Sequence, residues 1–134
     1  MTAAVVADHL RVEFDTPTGE FIALEDFSIN VAKNEFVSLI GPSGCGKTTV
    51  LRCIANLLEP VSGSVNVNGM TPKDAIKKRD VGYVFQSATL LEWRSVLKNV
   101  LLPLEIAGVP RSQAMPRAME MIDRVGLSDF TRNY

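Results

Sequence analysis

A glycine-rich loop at residues 41–48 constrains this chain more than any other feature of its sequence. It reads GPSGCGKT and matches the spacing G-x-x-x-x-G-K-[ST]. The apolar, β-rich run at residues 36–40 precedes it, and apolar residues recur at helical spacing from Lys47 until Pro60. A loop that joins a buried strand to a helix in this way predicts a binding site for phosphate groups.

Each residue type in the loop has a physical role in that prediction. Glycines let the backbone turn tightly, so that its N–H groups and the positive end of the helix dipole face a phosphate. Lys47 is expected to reach the β- and γ-phosphates, and the Thr48 hydroxyl to ligate Mg²⁺. We therefore predict a site for ATP with Mg²⁺. The candidate nucleotide-binding residues of the loop and the helix start are Gly41, Pro42, Ser43, Gly44, Cys45, Gly46, Lys47, Thr48 and Thr49.

Composition excludes several other classes of function. The 134 residues carry a net charge of −1 with scattered basic residues, so no nucleic-acid partner is predicted. The two cysteines, Cys45 and Cys53, have neither a disulfide nor a zinc pattern, which favours a reducing cytosol. No stretch approaches the roughly 18 apolar residues of a membrane span. Any link to a membrane is therefore expected to go through a partner.

The pattern along the chain predicts an α/β fold. Apolar alternation and short apolar runs predict strands over residues 4–14, 21–32, 36–40, 64–68 and 81–85. Turns are expected at residues 17–19 and at Asn68-Gly69. Besides the helix after the loop, helices are predicted over residues 95–106 and 111–125.

Several segments together resemble the ATP-binding subunits of ABC transporters. GPSGCGKTT, VLRCIANLLEPVSGSVNVNG and VGYVFQ occur in the order of that family's Walker A loop, first helix, next strand and Q-loop. TLLEWRSVLKNVLLPLEIAG resembles the subgroup that serves nitrate, sulfonate or taurine importers. The resemblance covers about residues 10–134. It implies a P-loop NTPase of the ABC nucleotide-binding type, truncated within its helical subdomain. Residues 1–86 would be the N-terminal β subdomain with the P-loop core, and residues 87–134 the incomplete start of the helical subdomain.

The resemblance also implies roles for individual residues. Phe14 matches the aromatic residue that stacks on adenine, with Phe21 as the alternative. Gln86 matches the Q-loop glutamine, which ligates Mg²⁺ and the attacking water, and it joins Lys47 as a candidate catalytic residue. The segment with Leu90, Leu91 and Trp93 corresponds to the border of the groove that receives the transmembrane subunit. The same three side chains could instead pack between the two subdomains. Related sequences commonly have proline at the position of Glu92, so this chain departs from the family pattern there.

Two motifs of the family are missing from the printed sequence. No apolar strand ends in the aspartate that would help to hold Mg²⁺, and no LSGGQ-type signature occurs. We therefore expect the chain alone to bind nucleotide weakly, to hydrolyse it negligibly and to associate with other copies of itself or aggregate.

The favoured interpretation is the energising subunit of an importer. It would lie peripherally on the cytoplasmic face of the plasma membrane, bound to a transmembrane permease and paired with a second ATPase subunit. A non-catalytic nucleotide- or partner-binding module is the alternative. A small P-loop kinase is a third possibility, although the clustered arginines of a kinase lid are not seen.

Overall fold

The computed structural model of the chain describes residues 3–17 and 19–134. These residues form two compact units, the first ending at Val84 and the second spanning Phe85–Tyr134. The described part of the first unit contains a three-stranded sheet and two helices. That of the second contains two helices and a short 3₁₀ turn.

The sheet of the first unit is built around a long antiparallel hairpin. Strand β1, Ala3–Thr16, pairs with β2, Gly19–Ala32, on one edge and with β3, Ser62–Val67, on the other. The strand order is therefore β2-β1-β3. This confirms the strands predicted over residues 4–14, 21–32 and 64–68. The turn predicted at residues 17–19 includes residue 18, which lies outside the described residues.

An irregularity at His9 decides which side chains of β1 face the core. Ala7, Leu10 and Val12 are all buried, although strict alternation would place Ala7 and Leu10 on opposite faces. The register with β2 shifts between Ala7 and Leu10, and His9 has a φ of 49°, as expected for a β-bulge. Here β3 passes so close that a Cβ on Gly63 would lie 2.3 Å from the His9 carbonyl oxygen. Only glycine fits at that position.

The bulge also places the His9 imidazole beside two carboxylates. Its Nδ1 lies 2.8 Å from Asp26 Oδ1, and its Nε2 lies 3.9 Å from Asp8 Oδ1. The pKa of His9 is raised above its ordinary value of 6.5. The main cause is the hydrogen bond to Asp26, and the negative charges of Asp26 and Asp8 add to it. Because the folded pKa exceeds the unfolded value, the contact stabilises the fold fully below about pH 6.5. This contribution is lost as the pH rises through the folded pKa.

The titration of His9 is directly measurable because it is the only histidine in the chain. We expect an NMR titration of the imidazole protons to give a midpoint above 6.5, and Asp26→Asn to lower that midpoint. Asp15→Asn, a change to an exposed carboxylate on the same strand as His9, should leave it in place. A midpoint at or below 6.5, or one that Asp26→Asn does not move, would contradict the assignment.

The core of the first unit lies between the sheet and helix α1, Lys47–Ile54. The predicted helix extends toward Pro60, whereas α1 ends earlier because Asn56 adopts a left-handed conformation, with a φ of 53°. The Leu57 N–H then bonds to the Arg52 carbonyl at 2.8 Å, closing the helix end. The buried residues of this core are Ala7, Leu10, Val12, Leu24, Val50 and Cys53.

The turn predicted at Asn68-Gly69 is present at the end of β3. Both residues have positive φ, 50° and 79°, as a two-residue hairpin turn requires. Val67 and Met70 exchange backbone hydrogen bonds of 2.8 and 2.9 Å across it. Helix α2, Pro72–Lys77, follows directly and completes the elements of this unit within the described part of the chain.

Two predicted strands do not form. Residues 36–40 and 81–85 are irregular, and neither pairs with a strand within residues 3–17 and 19–134. Phe36, Ile40 and Val84 are 92%, 94% and 95% exposed. The strand predictions are therefore wrong for this chain as described. A strand is stabilised by hydrogen bonds to a neighbouring strand, and an apolar sequence by itself supplies none.

The second unit is helical. Helices α3, Val96–Ile106, and α4, Arg111–Arg124, confirm the helices predicted over residues 95–106 and 111–125. They pack together around Leu101, Ala114 and Ala118, where small side chains allow close approach. Among the described residues, no helix has both the length and the apolar character needed to cross a membrane.

Candidate nucleotide-binding site

The loop at residues 41–48 leads directly into the first turn of α1, which begins at Lys47. Gly46 is the N-cap residue, and its carbonyl accepts the Val50 N–H at 3.0 Å. No side chain caps this end, and the first turn contains no acidic residue. The N–H groups of the first turn are therefore available to an anion, which the helix dipole also favours.

Gly46 allows the loop to lie against strand β2. It has a φ of 91°, in the left-handed region. A Cβ at this position would lie 2.5 Å from Leu24 Cδ2 and 2.7 Å from the Ala23 carbonyl oxygen. Glycine is therefore required here for both conformation and space, a packing reason that the motif spacing did not reveal.

Lys47 reaches back across the loop instead of extending into solvent. Its Nζ donates to the carbonyl oxygens of Gly41, at 2.7 Å, and Pro42, at 2.6 Å, and lies 3.4 Å from Cys45 Sγ. These three contacts match the three donors of an ammonium group. The positive charge is thereby held within the loop, and binding a phosphate would require Lys47 to exchange at least one of these acceptors.

A cleft of about 230 Å³ lies beside the loop and connects it to the hairpin. Phe14 on β1 and Phe21 on β2 are directly opposite in the strand register, so both aromatic candidates reach the same cleft. Phe14 is half-buried, whereas Phe21 is exposed. The lining residues are Phe14, Phe21, Ala23, Gly44, Gly46, Lys47, Thr48 and Thr49.

The residues present fit a nucleotide. The cleft is smaller than the roughly 300–1,000 Å³ of typical small-molecule pockets, so it suits part of a ligand whose remainder extends along the loop. One wall offers aromatic surface for a base, and the other offers Lys47 and the N-terminus of α1 for phosphates. These are the two chemical halves of a nucleoside phosphate.

The same residues fit Mg²⁺ only as an ion that the nucleotide brings with it. Across residues 3–17 and 19–134, no three His, Cys, Asp or Glu side chains lie close enough together to hold a metal. Thr48 offers one exposed hydroxyl at the cleft. Mg²⁺ commonly takes only one or two protein ligands, with phosphate oxygens and water completing the octahedron.

The other predicted site residues lie outside this cleft. Gly41, Pro42, Ser43 and Cys45 form the exposed outer part of the loop and do not line it. Gln86 is exposed near the start of the second unit, so its role as a Mg²⁺ ligand stays a prediction.

Sequence reasoning missed one residue of the cleft, Ala23. Phe21 and Ala23 are two positions apart on β2 and so share a face of the strand. That alternation was the signal that could have placed Ala23 beside Phe21. Three larger cavities of the first unit, about 300, 410 and 560 Å³, include no residue of the loop at 41–48 in their linings.

The segment predicted to face a partner lies in the second unit. Leu90 and Trp93 are 67% and 75% exposed, whereas Leu91 is half-buried. The following residue, Arg94, forms an ion pair with Glu105 on α3, with 2.6 Å between Nη2 and Oε2. The segment therefore exposes apolar side chains while it is anchored to the helix behind it.

The sequence of the loop and the helix that follows it are those of a P-loop NTPase domain, and sequence comparison specifies which kind. The profile of the family described as ABC transporter matches residues 24–134. Because this match covers most of the chain, the chain belongs to the ABC transporter family, in its ATP-binding domain.

Individual relatives agree with that assignment. An uncharacterized ABC transporter ATP-binding protein of Methanocaldococcus jannaschii is 40% identical over 134 residues, which is 100% of this chain and 49% of the relative. The taurine import ATP-binding protein TauB of Roseobacter denitrificans is 39% identical over 126 residues, 92% of this chain and 46% of the relative. The methionine import ATP-binding protein MetN of Brucella abortus is 38% identical over 122 residues, 87% of this chain and 33% of the relative. The chain thus spans half or less of the length of these relatives.

Solved structures agree with the fold. The ATP-binding cassette MJ0796, in a dimeric post-hydrolysis state bound to ADP and Pi, superposes with a TM-score of 0.83 at 29% identity. The match covers 96% of this chain and 60% of that one. A second dimeric structure of MJ0796 gives a TM-score of 0.81 at 28% identity. The predicted ABC-type α/β nucleotide-binding fold is therefore confirmed.

Proposed function

We propose that this chain is the nucleotide-binding part of the energising subunit of an ABC importer and binds Mg-ATP through the loop at residues 41–48. The observation that carries the proposal is the cleft that joins Phe14 on the hairpin to Lys47 and Thr48 at the start of α1. Base-stacking and phosphate-binding chemistry meet there on one face of the first unit. The names of the taurine and methionine import relatives support an importer.

Within that site each group has a separate role. The backbone N–H groups of residues 41–49, except that of Pro42, which has none, and the Lys47 ammonium would hold the phosphates, and the Thr48 hydroxyl and Gln86 would hold the Mg²⁺. Phe14 stacks on the adenine, with Phe21 opposite it as the alternative. A bound Mg²⁺ would neutralise part of the negative charge of the phosphates. Lys47 and Gln86 are the residues of this chain proposed to act in catalysis.

Hydrolysis, in this proposal, requires more than residues 1–134 contain. The printed sequence has no apolar strand ending in aspartate beside a glutamate that could activate water, and no LSGGQ-type signature. We assign to residues 1–86 the β subdomain with the P-loop core, and to residues 87–134 the start of the helical subdomain. ATP hydrolysis coupled to solute uptake would then be an activity of a longer protein.

The proposed partners are a transmembrane permease subunit and a second ATPase subunit. The permease would dock in the region of Leu90, Leu91 and Trp93, since Leu90 and Trp93 are exposed apolar side chains on an anchored segment, and such side chains suit a docking surface. The dimeric state of the MJ0796 cassette supports the pairing of ATPase subunits. Such an assembly places the subunit on the cytoplasmic face of the plasma membrane. A nitrate, sulfonate or taurine importer is the proposed subtype, which the taurine relative supports.

Separating base binding from phosphate binding tests the nucleotide site. Loss of a stacked aromatic typically costs about 1–3 kcal/mol, so Phe14→Ala is expected to weaken ATP binding by about 5- to 150-fold. Binding of tripolyphosphate, which has no base, should not change. Both affinities are measured by isothermal titration calorimetry.

Phe21→Ala is the matched control because Phe21 lies opposite Phe14 in the same cleft. Phe21→Ala should weaken ATP binding less than Phe14→Ala does. The reverse order would move stacking to Phe21. An equal loss of ATP and tripolyphosphate binding in Phe14→Ala would show that the change damages the loop, and would remove support for stacking.

A further inference from the structure

The segment before α3 contains a turn held by side-chain hydrogen bonds. The Arg94 N–H donates to the Leu91 carbonyl at 2.9 Å, which closes the turn at residues 91–94. Trp93 lies within this turn, and Leu90 directly precedes it. These two exposed apolar side chains form the surface that we name the Leu90–Trp93 patch.

One residue of α3, Asn99, makes most of the contacts that hold the turn. Its Oδ1 accepts the Leu91 N–H at 2.9 Å. Its Nδ2 donates to the carbonyls of Leu91, at 3.1 Å, and Arg94, at 2.8 Å, and lies 3.3 Å from that of Ser95. Asn99 is itself partly buried. The side-chain amide of Asn99 therefore bonds both ends of the turn. It accepts from and donates to the backbone of Leu91, and it donates to the carbonyl of Arg94.

The start of α3 does not depend on those contacts. The Val96 and Leu97 N–H groups donate to the carbonyls of Asn133, at 2.8 Å, and Thr131, at 3.1 Å. Two of the N–H groups that a helix start leaves unpaired are thereby satisfied from the end of the chain. Loss of the Asn99 side chain should therefore release the turn while leaving the helix in place.

We propose that Asn99 is a positioning residue that fixes the turn at residues 91–94 and so presents the Leu90–Trp93 patch to the transmembrane subunit. The proposal rests on the proposed function, because that function supplies the partner. A preordered turn needs less ordering on docking, so its affinity for a partner is higher than that of a free turn. The occupant to which the patch is fitted is an apolar segment of the permease that reaches the cytoplasmic face.

The first test measures the turn directly in the protein without its partner. We expect Asn99→Ala to increase amide hydrogen exchange at Leu91 at least tenfold, while Val96 and Leu97 keep their protection. Trp93 is the only tryptophan, so its fluorescence anisotropy reports the same loosening. Asn99→Asp keeps an acceptor for the Leu91 N–H and should protect that amide better than Asn99→Ala. Lys98→Ala, an exposed neighbour on α3, is the matched control and should change nothing. Unchanged exchange at Leu91 in Asn99→Ala would overturn the proposal.

The second test measures assembly of the ATPase subunit with its permease in detergent. Asn99→Ala is expected to weaken assembly about tenfold and to leave ATP affinity unchanged, whereas Lys98→Ala should alter neither. A loosened turn with unaltered assembly would overturn the positioning role of Asn99. Trp93→Ala separates this failure from that of the docking site. If Trp93→Ala also leaves assembly unaltered, the proposed permease surface is wrong, and the positioning role fails with it.

Discussion

Lys47→Ala is expected to weaken the binding of Mg-ATP by about 10- to 150-fold. A hydrogen bond to a charged group contributes about 1.5–3 kcal/mol, and about 1.4 kcal/mol corresponds to a factor of ten. Lys47 is the basic side chain that lines the cleft, and its Nζ lies within hydrogen-bonding distance of two loop carbonyls. Calorimetric titration with Mg-ATP, ADP and adenosine measures the effect. The loss of affinity should be largest for Mg-ATP and smaller for ADP, and the affinity for adenosine should not change.

The control for this substitution is Lys33→Ala, which removes the same charge from an exposed residue that does not line the cleft. It should alter ATP affinity by less than a factor of two, as expected for a screened charge outside the site. Thermal unfolding of both variants without nucleotide checks that the fold survives. An ATP affinity that Lys47→Ala leaves unchanged would contradict the proposed site. An equal loss of adenosine binding would mean that the loop had collapsed.

The second large effect concerns residues 1–134 expressed alone. We expect ATP turnover at the background rate, since loss of a positioned general base commonly costs about 10²–10⁴-fold. We also expect concentration-dependent association, because Phe36, Ile40 and Val84 are almost fully exposed. Phosphate release and light scattering after size exclusion measure the two properties. Turnover that Lys47→Ala abolishes would contradict the first expectation and favour a complete catalytic site within these residues.

Polar substitutions identify the surface responsible for association. The double change Phe36→Ser and Ile40→Ser is expected to reduce association, whereas Val61→Ser, at a residue 63% exposed, should not. If both variants associate equally, the unpaired segments are not its cause. ATP binding and nucleotide-dependent capture of the permease by the longer protein, still without turnover, would instead favour the non-catalytic module.

Much of the local structure follows from the sequence because its causes are local. The alternation in β1 and β2, the Asn68-Gly69 turn and the amphipathic pattern of α4 all predicted elements that are present. The end of α1 did not follow, because Asn56 adopts a left-handed conformation before the helical spacing stops. The failed strands at residues 36–40 and 81–85 have a different cause. A strand depends on a neighbour distant in sequence, and that dependence is not written in its own residues.

The order of amino acids alone specifies the loop at residues 41–48, the residue types that could bind phosphate and the family resemblance. All three depend on identity and spacing along the chain. The folded chain brings Phe14 and Phe21 into one cleft with Lys47, and this depends on the register of β1 with β2 and on the close approach that Gly46 allows. It likewise brought Asn99 back onto the turn at residues 91–94. Both arrangements arise when residues far apart in sequence pack together, and no spacing rule within a single segment specifies that packing.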